Sequence, residues 1–432
     1  MLMKVLVLGG TGFIGQQVCQ RLLSDGHVVT AVGRDIAEVC RRIKQVTWRS
    51  IDIGKLTSVD DWVPLLAGVD AVVNCVGALQ DGARDNVTAV QLDAMLKLYE
   101  AAAQSSVRLV VQISTAIEGR GASLPFIATK RAADEALVQS TVPHIILRPA
   151  LVIGRNAHGG TALIRSLASF PLIVPLIHSD RPVEIVALSD LTEAVSASLD
   201  GRISTASDIA LASRQHHTLA DVVLAHRSWL GLGKATVVRL PHRLATITAW
   251  LADCAGFLGW RSPLRSTAMK IMADGVFSSN AVDTSPSVLQ LRSLEETLSA
   301  SLSGVQDLWF ARLYLLKPLI ILVLALFWTV SGIIALLAFS ASTTHLADSF
   351  GETSSVVLTV CTSLVDIVLG CLVLFRRFAT IAMTGMLLIS IVYLIGGSLF
   401  TPTLWLDPLG PYVKVIPSLF LTLVGMAVIN ER

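Results

Sequence analysis

Residues Lys4–Gly15 read KVLVLGGTGFIG. A short β-branched run ends in two glycines, and a helical pattern through Val18, Leu22 and Leu23 follows, stopping at SDGH. VVTAVG then forms a second strand. Gly10, Gly12 and Gly15 give G-x-G-x-x-G, and Gly9, Gly12 and Gly15 give G-x-x-G-x-x-G. Glycines at these places allow a tight turn and let the backbone approach a pyrophosphate closely. The helix that follows offers free N–H groups and a positive dipole end to phosphates. Between a strand and a helix the motif predicts dinucleotide binding by Gly9, Gly10, Thr11, Gly12, Phe13, Ile14 and Gly15.

The end of the second strand sets the choice of cofactor. An NAD-type site carries an acid there for the ribose 2′-hydroxyl. This chain has Gly33 and then Arg34, with Asp35 about two positions late. A guanidinium suits a 2′-phosphate through charge-assisted hydrogen bonds. The expectation is NADP(H) ahead of NAD(H); the other reading of Arg34 is a solvated loop charge. VTWRSIDI is a third strand ending in Asp52, an expected neighbour of the adenine. VDAVVNCVGA is a fourth, with Val76 and Gly77 bordering the cofactor. VRLVVQIST is a fifth, ending in Ser114 and Thr115, HIILRPALVIG a sixth, and a seventh is expected after Val183.

The rest of the chain is of another kind. Of 432 residues, 53% are hydrophobic and 15% charged, and the charges thin out beyond Arg312. A mean hydropathy of +0.66 is too apolar for an ordinary water-soluble protein of this length. Four apolar runs, Leu315–Phe339, Ser354–Phe375, Ala379–Phe400 and Tyr412–Ile429, each approach the length of a membrane-crossing helix. Arg376 and Arg377 lie between runs two and three, and Arg312 and Lys317 flank run one. ASTTHLADSFGET and TPTLWLDPLGP, read as loops, carry no Lys or Arg. The positive-inside rule puts both termini and the Arg376/Arg377 turn in the cytoplasm, with Lys414 dissenting. The expected location is a multi-pass cell (inner) membrane. Asp366, within run two, is either a functional carboxylate or a neutral structural one. LATITAWLADCAGFLGW, broken by Asp253, reads as a helix on a core or on the membrane surface. The six cysteines form no CxxC pair or Cys/His ligand set, so no metal is expected. A net charge of +2 says little about nucleic acid, but no basic cluster is interleaved with aromatics, so no nucleic-acid partner is expected.

LVLGGTGFIG, VVNCVG, VVQIST, ATKRAADEAL, LRPALVIG and EIVALSDLTEAV occur in order over residues 1–300. In this the chain resembles the atypical short-chain dehydrogenases/reductases, close to the NAD(P)-binding branch that contains the 39 kDa subunit of respiratory complex I. VDIVLG and PTLWLDPLGPYVKVIPSL resemble the four-helix DoxX-like membrane family. The expected architecture is an α/β Rossmann-like doubly wound parallel sheet followed by an all-α transmembrane four-helix bundle. The expected boundaries are 1–300 for the NAD(P)-binding domain with a small substrate-side region, 301–314 for a linker and 315–432 for the membrane domain.

The resemblance also implies a reaction site. Catalytic members pair a Tyr-x-x-x-Lys with a Ser or Thr from the preceding strand end; the tyrosine carries the proton, the lysine holds the nicotinamide ribose and the serine orients the carbonyl. Here Ser114 stands twelve residues before Phe126, and Lys130 four after it. Phe126 thus occupies the place of the tyrosine and has no proton to give. Lys130 and Ser114 remain as the implied catalytic pair, with Lys130 also on the cofactor. The glycine-rich GRNAHGGTALIRSLASF reads as a cleft lid, and His158, His216 and His217 as solvated loop histidines. Two readings stay open. One is a membrane-anchored oxidoreductase whose small-molecule substrate is lipid-soluble or quinone-like. The other is a non-catalytic NADPH-binding sensor, or a stabilising or assembly subunit of a membrane complex. Membrane lipids are expected partners in both.

Overall fold

A computed structural model describes residues 2–82, 86–115, 123–277, 289–408 and 410–430. The chain forms two compact units, Met1–Asp253 with Ser262–Leu308, and Cys254–Arg261 with Trp309–Arg432. Residues expected in a linker therefore divide between the two, and a short stretch before Ser262 joins the second. The cause is specific contacts. Asp307 accepts from the Arg155 guanidinium at 2.7 Å in the first unit, and the Trp260 indole donates to the Leu374 carbonyl at 2.6 Å in the second.

The first unit is built on β1 (Lys4–Leu8), β2 (Val28–Gly33), β3 (Thr47–Ser50), β4 (Ala71–Asn74), β5 (Leu109–Ile113) and β6 (His144–Pro149). With Ser207–Leu211 they make a seven-stranded sheet whose order is Ser207–Leu211, β6, β5, β4, β1, β2, β3. All its pairings are parallel. Both faces are covered, so the strands are continuous apolar runs rather than alternating ones. Val5, Val7, Ala31, Val73, Val111 and Leu147 pack against Val18, Leu22, Leu191 and Val195 on one face. Leu6, Leu8, Val32, Val72, Val110 and Ile146 pack against Trp62, Met95, Leu98 and Leu137 on the other.

The sixth strand differs from its sequence reading. HIILRPALVIG breaks at Ala150, whose N–H donates to the Leu211 carbonyl, while that of Leu151 donates to Glu184. Pro149 has no N–H to continue the ladder. Leu151–Ile153 pairs instead with Ile185–Ala187, the strand expected after Val183. The seventh place in the main sheet goes to Ser207–Leu211.

The second unit carries four helices long and apolar enough to cross a membrane: Leu316–Leu337, Glu352–Leu372, Ala379–Phe400 and Pro411–Val428. The first two approach backbone to backbone. A Cβ on Gly332 would meet the Ser363 carbonyl, and one on Gly370 would lie 2.9 Å from the Ala325 carbonyl. Small residues allow such contact where no water drives helices together. Asp366 has a partner that sequence did not name: Tyr393, on the third span, donates to it at 2.8 Å. Phe339–Phe350, read as part of a loop, is a helix. Its Thr343 and Thr344 hydroxyls donate to the carbonyls of Phe339 and Ser340, so these two are satisfied within the helix.

The tightest constraint in the first unit is Gly15. A Cβ there would overlap the Gly9 carbonyl oxygen and lie 2.8 Å from the Gly10 Cα. Gly15→Ala should lower stability by about 1–3 kcal/mol, the usual cost of overpacking against atoms that cannot move aside. Thermal unfolding of the full-length protein in detergent, read by circular dichroism, should show the lower midpoint.

Candidate functional site: the carboxyl ends of the central strands

The strand order reverses between β1 and β4, and a ligand crevice is expected beyond the carboxyl ends at such a point. Gly9 follows β1 with φ +69°, a conformation that favours glycine. A Cβ on it would stand 3.1 Å from the Cys75 carbonyl and 3.2 Å from the Val76 nitrogen, so the chains leaving β1 and β4 nearly touch. The Gly12 N–H donates to the Gly9 carbonyl at 2.9 Å, and the Gln16 amide donates to the Thr11 carbonyl at 2.7 Å. The helix Phe13–Ser24 then starts from an extended Gly12 with no side-chain cap on its first N–H groups. Those donors suit an anion. The Thr11 side chain lies against Gly33 at the end of β2, which brings the start of Arg34 beside the turn. Arg34 is exposed, and its carbonyl accepts from the Ser50 hydroxyl at 2.9 Å. Asp52 lies past β3, in extended backbone before the single turn Ile53–Lys55.

The helix Pro125–Gln139 supplies the other wall. Proline at its start needs no hydrogen bond for a missing N–H. Lys130, buried on this helix, donates from Nζ to the carbonyls of Val76 at 3.0 Å and Ile113 at 2.8 Å. Its ammonium therefore spans the ends of β4 and β5. Burial pushes its pKa below the usual lysine range, and Asp134 pulls the other way. Gly77 sits beside it: a Cβ there would be 3.6 Å from the Lys130 Cε.

Ser114 is not idle. Its hydroxyl donates to Asp134 at 2.5 Å, and the Arg148 guanidinium donates to the same carboxylate oxygen at 2.8 Å and to the Ser114 hydroxyl at 3.3 Å. Arg148 is also paired with Asp208 by bonds of 2.7 and 2.9 Å. Burial raises the Asp134 carboxyl, and Arg148 and Ser114 oppose this. Phe126, half-buried in the first turn of the helix, offers its carbonyl to Gln91 at 3.3 Å. Gln91 also donates to the Thr129 hydroxyl at 2.9 Å and accepts from the Ala78 N–H at 3.0 Å, tying this helix to the segment after β4. Tyr99 is no substitute donor, because its hydroxyl donates to Gln112 within the core.

The structure thus brings the glycine turn, Val76, Gly77, Ser114 and Lys130 to one end of the sheet, with Arg34 at its β2 corner and Asp52 beyond β3. Sequence reading missed the partners of these residues. Asp134 had a signal, one turn after Lys130 in ATKRAADEAL, but its bond to Ser114 joins residues twenty apart. His158, read as solvated, stacks on Phe13 of the glycine turn with centroids 5.9 Å apart and planes 9° apart.

A second cluster backs the substrate-side region. Arg165 is buried, donates to the Gly154 carbonyl at 2.7 Å and lies 4.6 Å from the Trp229 ring centroid. His226 is wholly buried, with Nδ1 2.8 Å from the Val222 carbonyl. Burial first, and then Arg165, lowers its pKa from 6.5 to about 4. An unfolded chain binds the proton that folded His226 refuses, so stability is full above pH 6.5 and falls toward pH 4. The loss should reach about 3 kcal/mol. Denaturant titrations of the full chain at pH 7 and pH 4.5 should show it, and His226→Gln should flatten the difference.

Comparison with known proteins agrees with this fold. Residues 5–194 match the model of the NAD dependent epimerase/dehydratase family, and residues 325–423 that of the DoxX-like family. An uncharacterised chloroplast protein of Arabidopsis thaliana is 27% identical over 210 residues, 46% of this chain and 68% of its own length. The photosystem II assembly factor Ycf39 of Synechocystis is 26% identical over 151 residues, 34% of this chain and 44% of its own. The match therefore spans less than half of that relative. Among solved structures, the Bordetella bronchiseptica enzyme WbmH in complex with NAD+ aligns with a TM-score of 0.53 at 17% identity, covering 73% of this chain and 99% of its own. The UDP-glucuronic acid 4-epimerase of Bacillus cereus in complex with NAD gives 0.50 at 17%, covering 72% and 97%. At such identity these structures speak for the fold. The chain therefore carries a region similar to the NAD dependent epimerase/dehydratase family at residues 5–194 and a DoxX-like region at residues 325–423.

Proposed function

We propose that the first unit binds NADP(H) without turning it over, and that the chain serves as a nucleotide-bound sensor or as a stabilising or assembly subunit of a membrane complex. The observation that carries this is Phe126, a phenyl ring one helical turn before Lys130, where the reductase pattern keeps its proton donor. Ser114 supports the same reading, because its hydroxyl is committed to Asp134 and Arg148. The assembly role is in keeping with the name of the Synechocystis relative. Lys130 keeps its use, since holding ribose hydroxyls needs no tyrosine. The basic Arg376/Arg377 turn supports a cell-membrane location with the nucleotide-binding unit on the cytoplasmic side.

His158 favours a second reading, an oxidoreductase acting on a lipid-soluble, quinone-like substrate. When bound, the nicotinamide would supply the hydride. The imidazole stacked on Phe13 puts a group able to carry a proton beside the glycine turn.

Full-length protein in mild detergent should bind NADPH yet leave it unoxidised with a panel of quinones and aldehydes. Phe126→Tyr, which restores the hydroxyl, is the variant expected to gain turnover. Oxidation by the wild type that disappears in His158→Ala would overturn the binding-only reading in favour of the second. Cofactor choice has its own measurement. Arg34→Ala should weaken NADPH by roughly 10-fold or more, the worth of a charge-assisted hydrogen bond, and NADH far less. Equal losses for the two would exclude Arg34 as the 2′-phosphate partner.

A further inference from the structure

The helix His242–Phe257 is turned inside out. Ala245, Ala249, Ala252 and Gly256, spaced along one helical face, are its buried residues. Leu244, Ile247, Trp250, Leu251 and Phe257 are exposed, Trp250 at 65% and Phe257 at 80%. A helix on a water-facing surface does the reverse and hides its large apolar side chains. The covered face is built of small residues, and the uncovered one carries nearly all the apolar bulk.

What lies against that face follows from where the helix ends. Cys254–Arg261 belongs to the membrane-helix unit. There the Arg376 N–H donates to the Leu258 carbonyl at 3.0 Å, and the Trp260 indole donates to Leu374. The cations of Lys317 and Arg376 each lie 5.6 Å from the Trp260 ring centroid. Leu374 and Arg376 form the turn between a span that ends at Leu372 and one that starts at Ala379. The last turn of the helix is therefore fixed at the edge of the apolar slab. Val305–Tyr314, which runs up to the first span, exposes Trp309 and Phe310 in the same manner. Tryptophan and its neighbours in such a place belong to the interfacial belt.

We propose that His242–Phe257 is an interfacial membrane segment. It lies along the bilayer surface with Leu244, Ile247, Trp250, Leu251 and Phe257 among the upper acyl chains, and the exposed Arg243 at the headgroups. The segment also reaches the nucleotide-binding region. Asp253, on the same helix, accepts from the Gln80 amide and from the Arg265 guanidinium, each at 3.1 Å. Gln80 is three residues beyond Gly77. One hydrogen bond, from Gln80 to Asp253, thus separates this helix from the segment that borders Lys130, whether or not the domain turns its cofactor over.

The test places nitroxide labels on the full chain in nanodiscs of phosphatidylcholine and phosphatidylglycerol. Labels go at Leu244→Cys, Ile247→Cys and Leu251→Cys, with Arg214→Cys as a water-exposed control, after Cys254, Cys361 and Cys371 are changed to serine. The helix positions should shift toward collision with oxygen, and the control toward a water-soluble nickel complex. Helix labels that behave like the control would overturn the proposal. So would shielding from both reagents, or dipolar broadening between copies, either of which means protein covers the face. All four sites are exposed, so the substitutions leave the packed face of the helix untouched.

Discussion

Backbone packs on backbone where β1 turns into its helix, and the rest of the first unit is arranged around that contact. Gly15 can lie on the Gly9 carbonyl because neither it nor Gly9 and Gly10, the residues it touches, carries a side chain. The approach brings the helix start over the strand end and leaves its first N–H groups facing outward. It also seats Thr11 against Gly33, which fixes the end of β2 relative to the turn. Gly9 in turn touches the chain leaving β4, and Lys130 bonds the carbonyl of Val76 there. One sub-side-chain gap thus relates four elements that would share a dinucleotide.

Much of this was legible before any coordinates. Buried parallel strands are unbroken apolar runs, so β1, β2, β4 and β5 announce themselves, and glycine spacing tells which end of the sheet matters. Lys130 was legible from its place in ATKRAADEAL. What resisted reading were contacts that topology alone creates. Arg148 closes a strand and Asp134 lies inside a helix, and nothing local shows that both reach Ser114. The break at Ala150 was hidden because strand composition continues across it. Phe339–Phe350 read as a loop because its hydroxyls look like turn residues, yet those of Thr343 and Thr344 bond back to their own helix. In His242–Phe257 the apolar residues were visible, but which face is covered is decided by the alanines.

The ionic group at Ser114 has a physical cost that bears on chemistry. Asp134, 2% exposed, would be destabilising there alone, and removal of one partner from such a group is far more harmful than its absence altogether. Arg148 neutralises it and is held in turn by Asp208. A serine drawn into this arrangement gives up its hydrogen to a carboxylate, so its remaining lone pairs are what it can offer outward. This is in keeping with the proposed binding role, because the Ser114 hydroxyl has no second proton to offer.

The pairing of Asp366 with Tyr393 bears on how the chain is made. A carboxyl group in the middle of a span costs about 3 kcal/mol to insert when nothing shields it. Its donor is on the following span, beyond the short turn that holds Arg376 and Arg377. During synthesis the second span is complete before Tyr393 has been added. It therefore gains its shield only when the third arrives, and the two are favoured to leave the insertion machinery as a hairpin. The close fit of Gly332 and Gly370 joins the second span to the first in the same way, so biogenesis of this bundle is a matter of partners waiting for one another.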